Sequence, residues 1–369
     1  MKKNKLEVSA PGRICLFGEH QDYLELPVIA SAVNMRMMIK GERRKDNLFN
    51  LEMPDVGERR VIDPDNLKYE SDRDYLASAV DIVKKLGMNF RYGYNVGINS
   101  DIPINSGVSS SSALVIGWLR FLFESQIPDS DEDFLGYTLE QIAEYGYETE
   151  VANFGEAGGK MDHYTIALGG VVYIDTKNPV KISRLNGLRD EEFVLGDTLE
   201  NKKTVDILRN TRKIVTNGFE VLKKTGFDKY KTGIGDVDFS LLDNCAGNKV
   251  RAALVNRDIT QKAREVLGKD SLNESDKKYI GRLITKHQQQ LRILGLSTVK
   301  LDYLVEASLK AGAYGAKLTG SGGGGCMFAY CDGERTSGVM EAIERAGGKA
   351  YCVKPDFGAW IHTGENYGR

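Results

Sequence analysis

The chain lacks the features that mark disulfide scaffolds and nucleic-acid binders. Its 369 residues contain five cysteines, none in a C-x-x-C spacing, and only eight prolines. Scattered thiols of this kind fit a reducing cytosol better than a disulfide framework. The formal net charge is −2, so no overall field attracts nucleic acid or an anionic membrane. We therefore expect no nucleic-acid partner.

Long apolar runs are absent as well. No stretch approaches the roughly 18 uncharged apolar residues that suggest a membrane span. Glu7 interrupts the sequence where the apolar part of a signal peptide would lie. These absences predict a cytoplasmic protein without membrane association, and they leave both a monomer and a homodimer open.

What the chain has instead is glycine, 40 residues gathered in clusters. The length suggests roughly two domains of about 150 residues each, and we place them at 1–185 and 186–369. Strand-like patterns dominate the first and helical patterns the second, which predicts an α+β protein with two lobes. The predicted strands are 6–9, 28–32, 35–40, 48–53 and 91–98, and the main predicted helices are 74–86, 113–123, 204–223 and 277–294.

Three local patterns refine this prediction. Residues 113–123 are almost wholly apolar, so their helix should be buried on most sides. Ser297 is placed to cap a helix that ends near Gly312. Apolar residues at 316–319 and 326–331 flank a glycine run and predict a strand, a loop and a strand.

The most informative segment, residues 11–23, joins a glycine turn to side chains that a core does not need. Its chemistry-bearing side chains are Arg13, Glu19, His20, Asp22 and Tyr23. Together with two glycine-rich segments far downstream, it predicts one site for a phosphorylated ligand.

A serine run at 105–112 leads directly into the apolar helix. Phosphate oxygens need several donors at short range, and a glycine followed by a helix N-terminus supplies them. Serine hydroxyls can bind phosphate or Mg²⁺. A solvated loop with a serine cap is the alternative, and the buried helix behind the run favours a phosphate cradle. The cradle would comprise Gly107, Val108, Ser109, Ser110, Ser111 and Ser112.

Two common nucleotide motifs do not explain the other glycines. Met161 follows Gly159 and Lys160, so the segment fails the Walker A pattern. Residues 320–325 satisfy G-x-G-x-x-G, but an apolar strand rather than a helix follows, so the Rossmann context is missing. A loop whose backbone approaches phosphate through Gly322 and Gly323 remains open, as does a structural hairpin turn.

An acidic residue, Asp162, follows a glycine-rich turn. A carboxylate on such a turn can reach into a cleft, and a nearby cation such as Arg13 would keep it ionised. The alternative is a turn or cap residue without a chemical role.

Taken together, the three segments resemble the superfamily of galactokinase, homoserine kinase, mevalonate kinase and phosphomevalonate kinase. The motifs P-G-[RK]-x-x-x-x-G-E-H, P-x-x-x-G-[LV]-x-S-S and K-x-T-G-x-G-x-G-G-C appear in order, starting at Pro11, Pro103 and Lys317. The resemblance implies a ribosomal-protein-S5-like N-terminal lobe and a ferredoxin-like C-terminal lobe. It also implies ATP, Mg²⁺ and phosphoryl transfer to a small hydroxylated substrate.

Within the superfamily the chain is most similar to galactokinases, because Arg13 and the Gly-Glu-His-x-Asp-Tyr run ending at Tyr23 follow their pattern. The resemblance implies that Asp162 is the catalytic aspartate and Arg13 the arginine facing it. It implies Mg²⁺ ligands at Glu150 and at Ser110 or Ser111. The implied sugar-binding residues are Glu19, His20, Asp22, Tyr23 and Gly159.

Three departures keep the acceptor open. Glu25 stands where glycine is usual, His163 stands where glutamine is common, and the third motif leans toward mevalonate or heptose kinases. We expect phosphorylation of the anomeric hydroxyl of galactose or a related sugar. The alternatives are a mevalonate, heptose or uronic-acid kinase and, in a different class, a catalytically silent sugar sensor.

Overall fold

The computed structural model describes residues 4–103, 107–127, 136–200 and 205–362. Part of the predicted serine run, at 105–106, lies outside the described residues. The chain is a mixed α+β protein with two sheets, as predicted. Its strands are β1 Lys5–Phe17, β2 Val28–Arg43, β3 Phe49–Met53, β4 Glu58–Ile62, β5 Tyr94–Ser100, β6 Val171–Asp175, β7 Lys181–Arg184, β8 Phe193–Asp197, β9 Gly315–Leu318, β10 Cys326–Tyr330, β11 Lys349–Val353 and β12 Trp360–His362. Its helices are α1 Tyr75–Lys85, α2 Ser110–Ser125, α3 Leu139–Tyr147, α4 Met161–Leu168, α5 Val205–Lys223, α6 Asn244–Leu267, α7 Glu274–Leu294, α8 Val299–Lys310 and α9 Thr336–Arg345.

The larger sheet is built on the long antiparallel pair of β1 and β2. Its strand order is β12-β1-β2-β5-β3-β4, and β6 pairs with β2 beside this path. The register of β1 against β2 shifts between Pro11 and Gly12 and again between Cys15 and Phe17. Such bulges bend a strand and re-aim its side chains. The first motif therefore lies on the irregular half of β1.

The apolar helix predicted at 113–123 is α2, and it is buried against the larger sheet as expected. Trp118 and Phe121 are fully buried and stack with their ring centroids 5.4 Å apart. The ring of Phe49 on β3 meets Trp118 edge-on. This packing holds α2 against the larger sheet.

The smaller sheet is antiparallel, with the order β11-β8-β10-β9. The predicted strand, loop and strand around the third motif are β9, the loop 319–325 and β10. The division into lobes at 185 and 186 stays a proposal. Strand β12 pairs with β1 through Glu7 and His362, so the chain returns from the smaller sheet to the larger one after β11.

Several predicted boundaries differ from the structure. Thr298, rather than Ser297, caps α8, because its side chain accepts the N–H of Leu301. Asp162 lies in the first turn of α4 rather than on a free turn. Among the described residues, no helix is long and apolar enough to cross a bilayer.

Candidate active site

A cavity of about 300 Å³ brings the three motifs together. The backbone N–H of Arg13 donates to the carbonyl of Val108 at 3.0 Å, which joins the first motif to the second. Gly12 permits this approach, because a Cβ there would lie 2.9 Å from the same carbonyl oxygen. The residues that line the cavity and were predicted from sequence are Arg13, Glu19, His20, Asp22, Tyr23, Gly107, Ser109, Ser110, Ser111, Ser112, Glu150, Gly159 and Asp162.

Arg13 grips Asp162 with two parallel hydrogen bonds, both 2.7 Å long, from Nε and Nη2. The remaining Nη1 group donates to the carbonyl of Gly107. Burial by itself would raise the pKa of Asp162, but the charge and hydrogen bonds of Arg13, with a hydrogen bond from Ser109, outweigh it and lower that pKa. Asp162 is therefore ionised at neutral pH, and a quarter of its side chain remains exposed.

The serine run forms the N-terminus of α2, where the first N–H groups have no partner within the helix. Ser109 precedes the helix in a left-handed conformation, with φ at 61°. Its hydroxyl donates to Asp162 at 2.5 Å instead of capping the helix. Val108 is fully buried, so only its backbone is placed to contribute. Ser110, Ser111 and Ser112 remain as the hydroxyls of a candidate phosphate cradle.

The glycine loop meets the cavity through Gly320 and Ser321. The phosphate-binding role of Gly322 and Gly323 stays a prediction. The N–H of Gly323 donates to the carbonyl of Leu296 at 2.8 Å. Gly322 has φ at +75°, and a Cβ there would lie 2.4 Å from that same carbonyl. These two glycines thus serve close packing of the loop on the segment after α7.

Glu19 forms an ion pair with Lys317, the first residue of the third motif, to which the sequence assigned no role of its own. Lys317 on β9 donates to the carboxylate of Glu19 at 3.1 Å and to the carbonyl of Cys15 at 2.8 Å. The pair is sealed from solvent. Burial raises the pKa of Glu19, although Lys317 and Arg13 oppose this. Glu19, which was predicted to bind sugar hydroxyls, therefore already has one carboxylate oxygen bound to Lys317.

His20 has both ring nitrogens engaged. Nε2 lies 3.0 Å from the carbonyl of Ser321, and Nδ1 lies 3.1 Å from the hydroxyl of Tyr23. The carbonyl requires a proton on Nε2, so Nδ1 accepts from the tyrosine. Burial lowers the pKa of His20 to about 4, which keeps the ring neutral at neutral pH. His20 connects the glycine loop to Tyr23.

Asp22 is a carboxylate of the cavity that is held by backbone N–H groups rather than by a cation. Burial, together with the charge of Asp162, raises the pKa of Asp22 to about 6. Its oxygens accept backbone N–H groups of Tyr23 and Met161, at 2.9 and 3.3 Å. Gly159 must be glycine here, because a Cβ would come within 2.1 Å of the Asp22 carboxyl group.

Glu150 projects from a π-helical turn, Glu148–Ala152, that continues α3. Such turns are frequent at functional sites. The carboxylate of Glu150 lies 2.8 Å from Nε2 of His163, which is nearly fully buried. Ser110 and Ser111 line the same cavity. This oxygen-rich set fits Mg²⁺, which takes few protein ligands and completes its shell with substrate phosphates.

Sequence reasoning missed several residues of the cavity wall. Tyr75 at the start of α1 and Glu156 carry no motif that would have singled them out. Ser321 lies inside the third motif but was passed over in favour of the glycines beside it. All three line the cavity.

Comparison with known families agrees with this arrangement. "GHMP kinases N terminal domain" matches residues 74–170, "GHMP kinases C terminal" matches 269–349, and "Galactokinase galactose-binding signature" matches 2–43. The three matches together contain Arg13, Asp162 and Lys317.

The curated relatives include both mevalonate kinases and galactokinases. A mevalonate kinase from Thermococcus sibiricus is 29% identical, covering 94% of this chain and 95% of that protein. A galactokinase from Lacticaseibacillus casei is 27% identical over 96% of this chain and 92% of that protein. Among solved structures, Lactococcus lactis galactokinase complexed with galactose shares the fold with a TM-score of 0.80 at 21% identity, covering 97% of this chain and 95% of that one. The chain belongs to the GHMP kinase family and is an ATP-dependent phosphotransferase with a hydroxyl group as acceptor.

Proposed function

We propose that this kinase phosphorylates the anomeric hydroxyl of galactose or a related sugar. The observation that carries the proposal is the hydrogen-bonded ion pair of Arg13 and Asp162. A second carboxylate, Asp22, lines the same cavity. The match of residues 2–43 to the galactose-binding signature supports a sugar acceptor. Several fixed hydrogen-bond acceptors are what recognition of sugar hydroxyls requires.

Phosphoryl transfer depends on positioning and charge neutralisation more than on covalent chemistry. Asp162 would accept a hydrogen bond from the sugar hydroxyl and orient its oxygen toward the phosphorus. Because Arg13 lowers the pKa of Asp162, the carboxylate is a weak base, so orientation contributes more than proton abstraction. Arg13 would also offset charge on the transferred group.

The nucleotide would lie against the N-terminus of α2. The unpaired N–H groups of the first turn of α2 and the hydroxyls of Ser110, Ser111 and Ser112 would bind the phosphate oxygens. Glu150 and a serine hydroxyl would hold Mg²⁺, which neutralises phosphate charge when bound. His163, 2.8 Å from Glu150, would orient that carboxylate.

Mevalonate is the second candidate, because mevalonate kinases are among the relatives at 28–29% identity. A coupled assay with ATP and either galactose or mevalonate separates the two, and ³¹P NMR of the product identifies the phosphorylated position. We expect galactose 1-phosphate. Turnover of mevalonate without any sugar would overturn the sugar proposal, and binding of sugar without ATP turnover would indicate a sensor.

A further inference from the structure

We infer that the acceptor carries a negative charge, and that a second cavity beside the catalytic one binds this carboxylate or phosphate group. The inference rests on the proposed sugar-kinase function and narrows its substrate to acidic sugars. The second cavity measures about 700 Å³ and lies between the turn after β1, α5 and the segment 227–230. Tyr23 lines both cavities, so the two adjoin.

One face of α5 forms the wall of the second cavity. Arg212, Thr216, Phe219 and Lys223 follow one another at spacings of four, three and four residues, so their side chains share a face. Phe219 packs against Phe227 with ring centroids 5.5 Å apart and gives the cavity an apolar floor. A pocket with an apolar surface and a few placed polar groups is typical of a small-molecule site.

The charges around the second cavity leave one arginine unmatched. Glu25 is taken by Lys229 at 2.7 Å and by the hydroxyl of Tyr230 at 3.2 Å. Glu220 is exposed and stands 4.0 Å from Lys223. The cationic lining residues are Lys177, Arg212, Lys223 and Lys229, and the acidic ones are Glu25, Glu220 and Asp228.

Among the cations that line the second cavity, Arg212 is half-buried and has no carboxylate partner in the described part of the chain. Its guanidinium lies 5.6 Å from the centre of the Tyr23 ring, and Tyr23 also lines the catalytic cavity. A guanidinium offers a planar array of donors that matches a carboxylate or a phosphate. A neutral sugar would leave the positive charge of Arg212 without a counter-charge.

At the catalytic cavity, the cations within the described residues are already paired with carboxylates. Arg13 is held by Asp162, and Lys317 is held by Glu19. Lys160 binds Glu144 on α3. A substituent at the end of the acceptor remote from Asp162 would therefore find its counter-charge across Tyr23, at Arg212.

The test compares galactose, galacturonate and galactose 6-phosphate as acceptors in a coupled ATP assay. We expect one of the two anionic sugars to exceed galactose in kcat/KM, and the arm that does so distinguishes a carboxylate from a phosphate. In Arg212→Gln, the ratio of kcat/KM for the anionic sugar to that for galactose should fall by at least about tenfold, the lower range for a hydrogen bond to a charged group. The matched control is Lys213→Gln, which removes the same charge from the next, exposed residue of α5 and should keep the wild-type ratio.

Two outcomes overturn the inference while the sugar-kinase proposal stands: preference for galactose over both anionic sugars, or an equal effect of Arg212→Gln on all three. If no sugar is turned over, the proposed function fails, and calorimetric binding of galacturonate and of galactose 6-phosphate then decides the inference separately. Binding that is lost in Arg212→Gln supports the anion site, and absence of binding to the wild-type protein overturns it.

Discussion

Two ion pairs anchor the first motif to distant parts of the chain, and they differ in their access to solvent. Arg13 and Asp162 leave a quarter of the carboxylate side chain exposed to the cavity. Lys317 and Glu19 are 0% and 3% exposed. The first pair leaves a carboxylate edge open to a ligand, whereas the carboxylate of the second is almost wholly covered where it meets the cavity.

This difference separates chemistry from architecture. An ion pair at a cavity edge keeps a charged oxygen ready for a substrate, because the partner holds it ionised. A sealed pair is weak evidence for net stability, since both charges lose their hydration, but the loss of one partner leaves an unpaired buried charge. We therefore expect the exposed pair to govern catalytic rate and the sealed pair to govern folding.

Asp162→Asn should give the largest effect. Asparagine keeps the shape and can still accept from Arg13, but it lacks the charge that orients the hydroxyl. We expect kcat to fall by at least about 100-fold, the low end for a positioned acid–base group. ATP binding measured by calorimetry should stay near the wild-type value. A variant with wild-type kcat would make Asp162 a structural residue.

Lys317→Met should mainly affect folding, because it leaves Glu19 buried without a counter-charge. The expected loss in the free energy of unfolding is about 3–5 kcal/mol, measured by urea denaturation. The double variant Lys317→Met with Glu19→Gln should regain part of this loss, since the unpaired charge is removed. A cost below about 1 kcal/mol for the single variant would be that of an exposed pair and would refute the sealed-pair interpretation.

Asp22→Ala tests the carboxylate that shares the exposed pair's cavity. We expect acceptor binding to weaken by about 2 kcal/mol, the scale of a hydrogen bond to a charged group, while ATP affinity is unchanged. Acceptor titration by calorimetry in the absence of nucleotide measures this directly. An unaltered acceptor affinity would remove Asp22 from the binding site.

Replacing Ser110 and Ser111 together by alanine should weaken Mg·ATP binding by about tenfold, because hydrogen bonds to charged phosphate oxygens are lost. Acceptor affinity without nucleotide should not change. Ser337→Ala is the matched control, since Ser337 lies in the first turn of α9 and does not line the cavity. Unchanged ATP kinetics would leave those serines only a local role at the helix terminus.

The smallest effect concerns pH. Burial and the Asp162 charge raise the pKa of Asp22 to about 6, so the acceptor KM should rise as pH falls through that value and the carboxylate is protonated. The sign for stability is opposite: ionisation of Asp22 disfavours the folded state, so its contribution to stability is largest below the unfolded pKa and is lost as pH rises through about 6. The acceptor KM of Asp22→Asn should be flat across this range, and a slope equal to that of wild type would assign the titration elsewhere.

The sequence predicted the elements whose packing pattern is simple. Residues 113–123 are almost wholly apolar and lie within the buried helix α2. The pattern at 277–294 lies within α7, Glu274–Leu294. Helix α6, Asn244–Leu267, was not predicted, because polar residues such as Asn256 and Thr260 occupy its buried face.

The site was predictable in its members but not in its pairings. The motifs identified Arg13 and Asp162, and the resemblance supplied the expectation that they face each other. Lys317 and Glu19 are 298 residues apart, so no local pattern could announce their contact. The hydrogen bond from Ser109 to Asp162 likewise depends on the left-handed residue before α2, which only the folded chain defines.

The most direct test measures two isosteric variants, Asp162→Asn and Glu19→Gln, on the same two axes: kcat and the free energy of unfolding. We expect Asp162→Asn to lose at least about 100-fold in kcat with a smaller loss of stability than Glu19→Gln. Glu19→Gln, which leaves Lys317 buried and unpaired, should lose about 3–5 kcal/mol of stability while its kcat falls less than that of Asp162→Asn. If the two variants exchange places on these axes, or move together on both, the separation of a catalytic pair from an architectural pair is wrong.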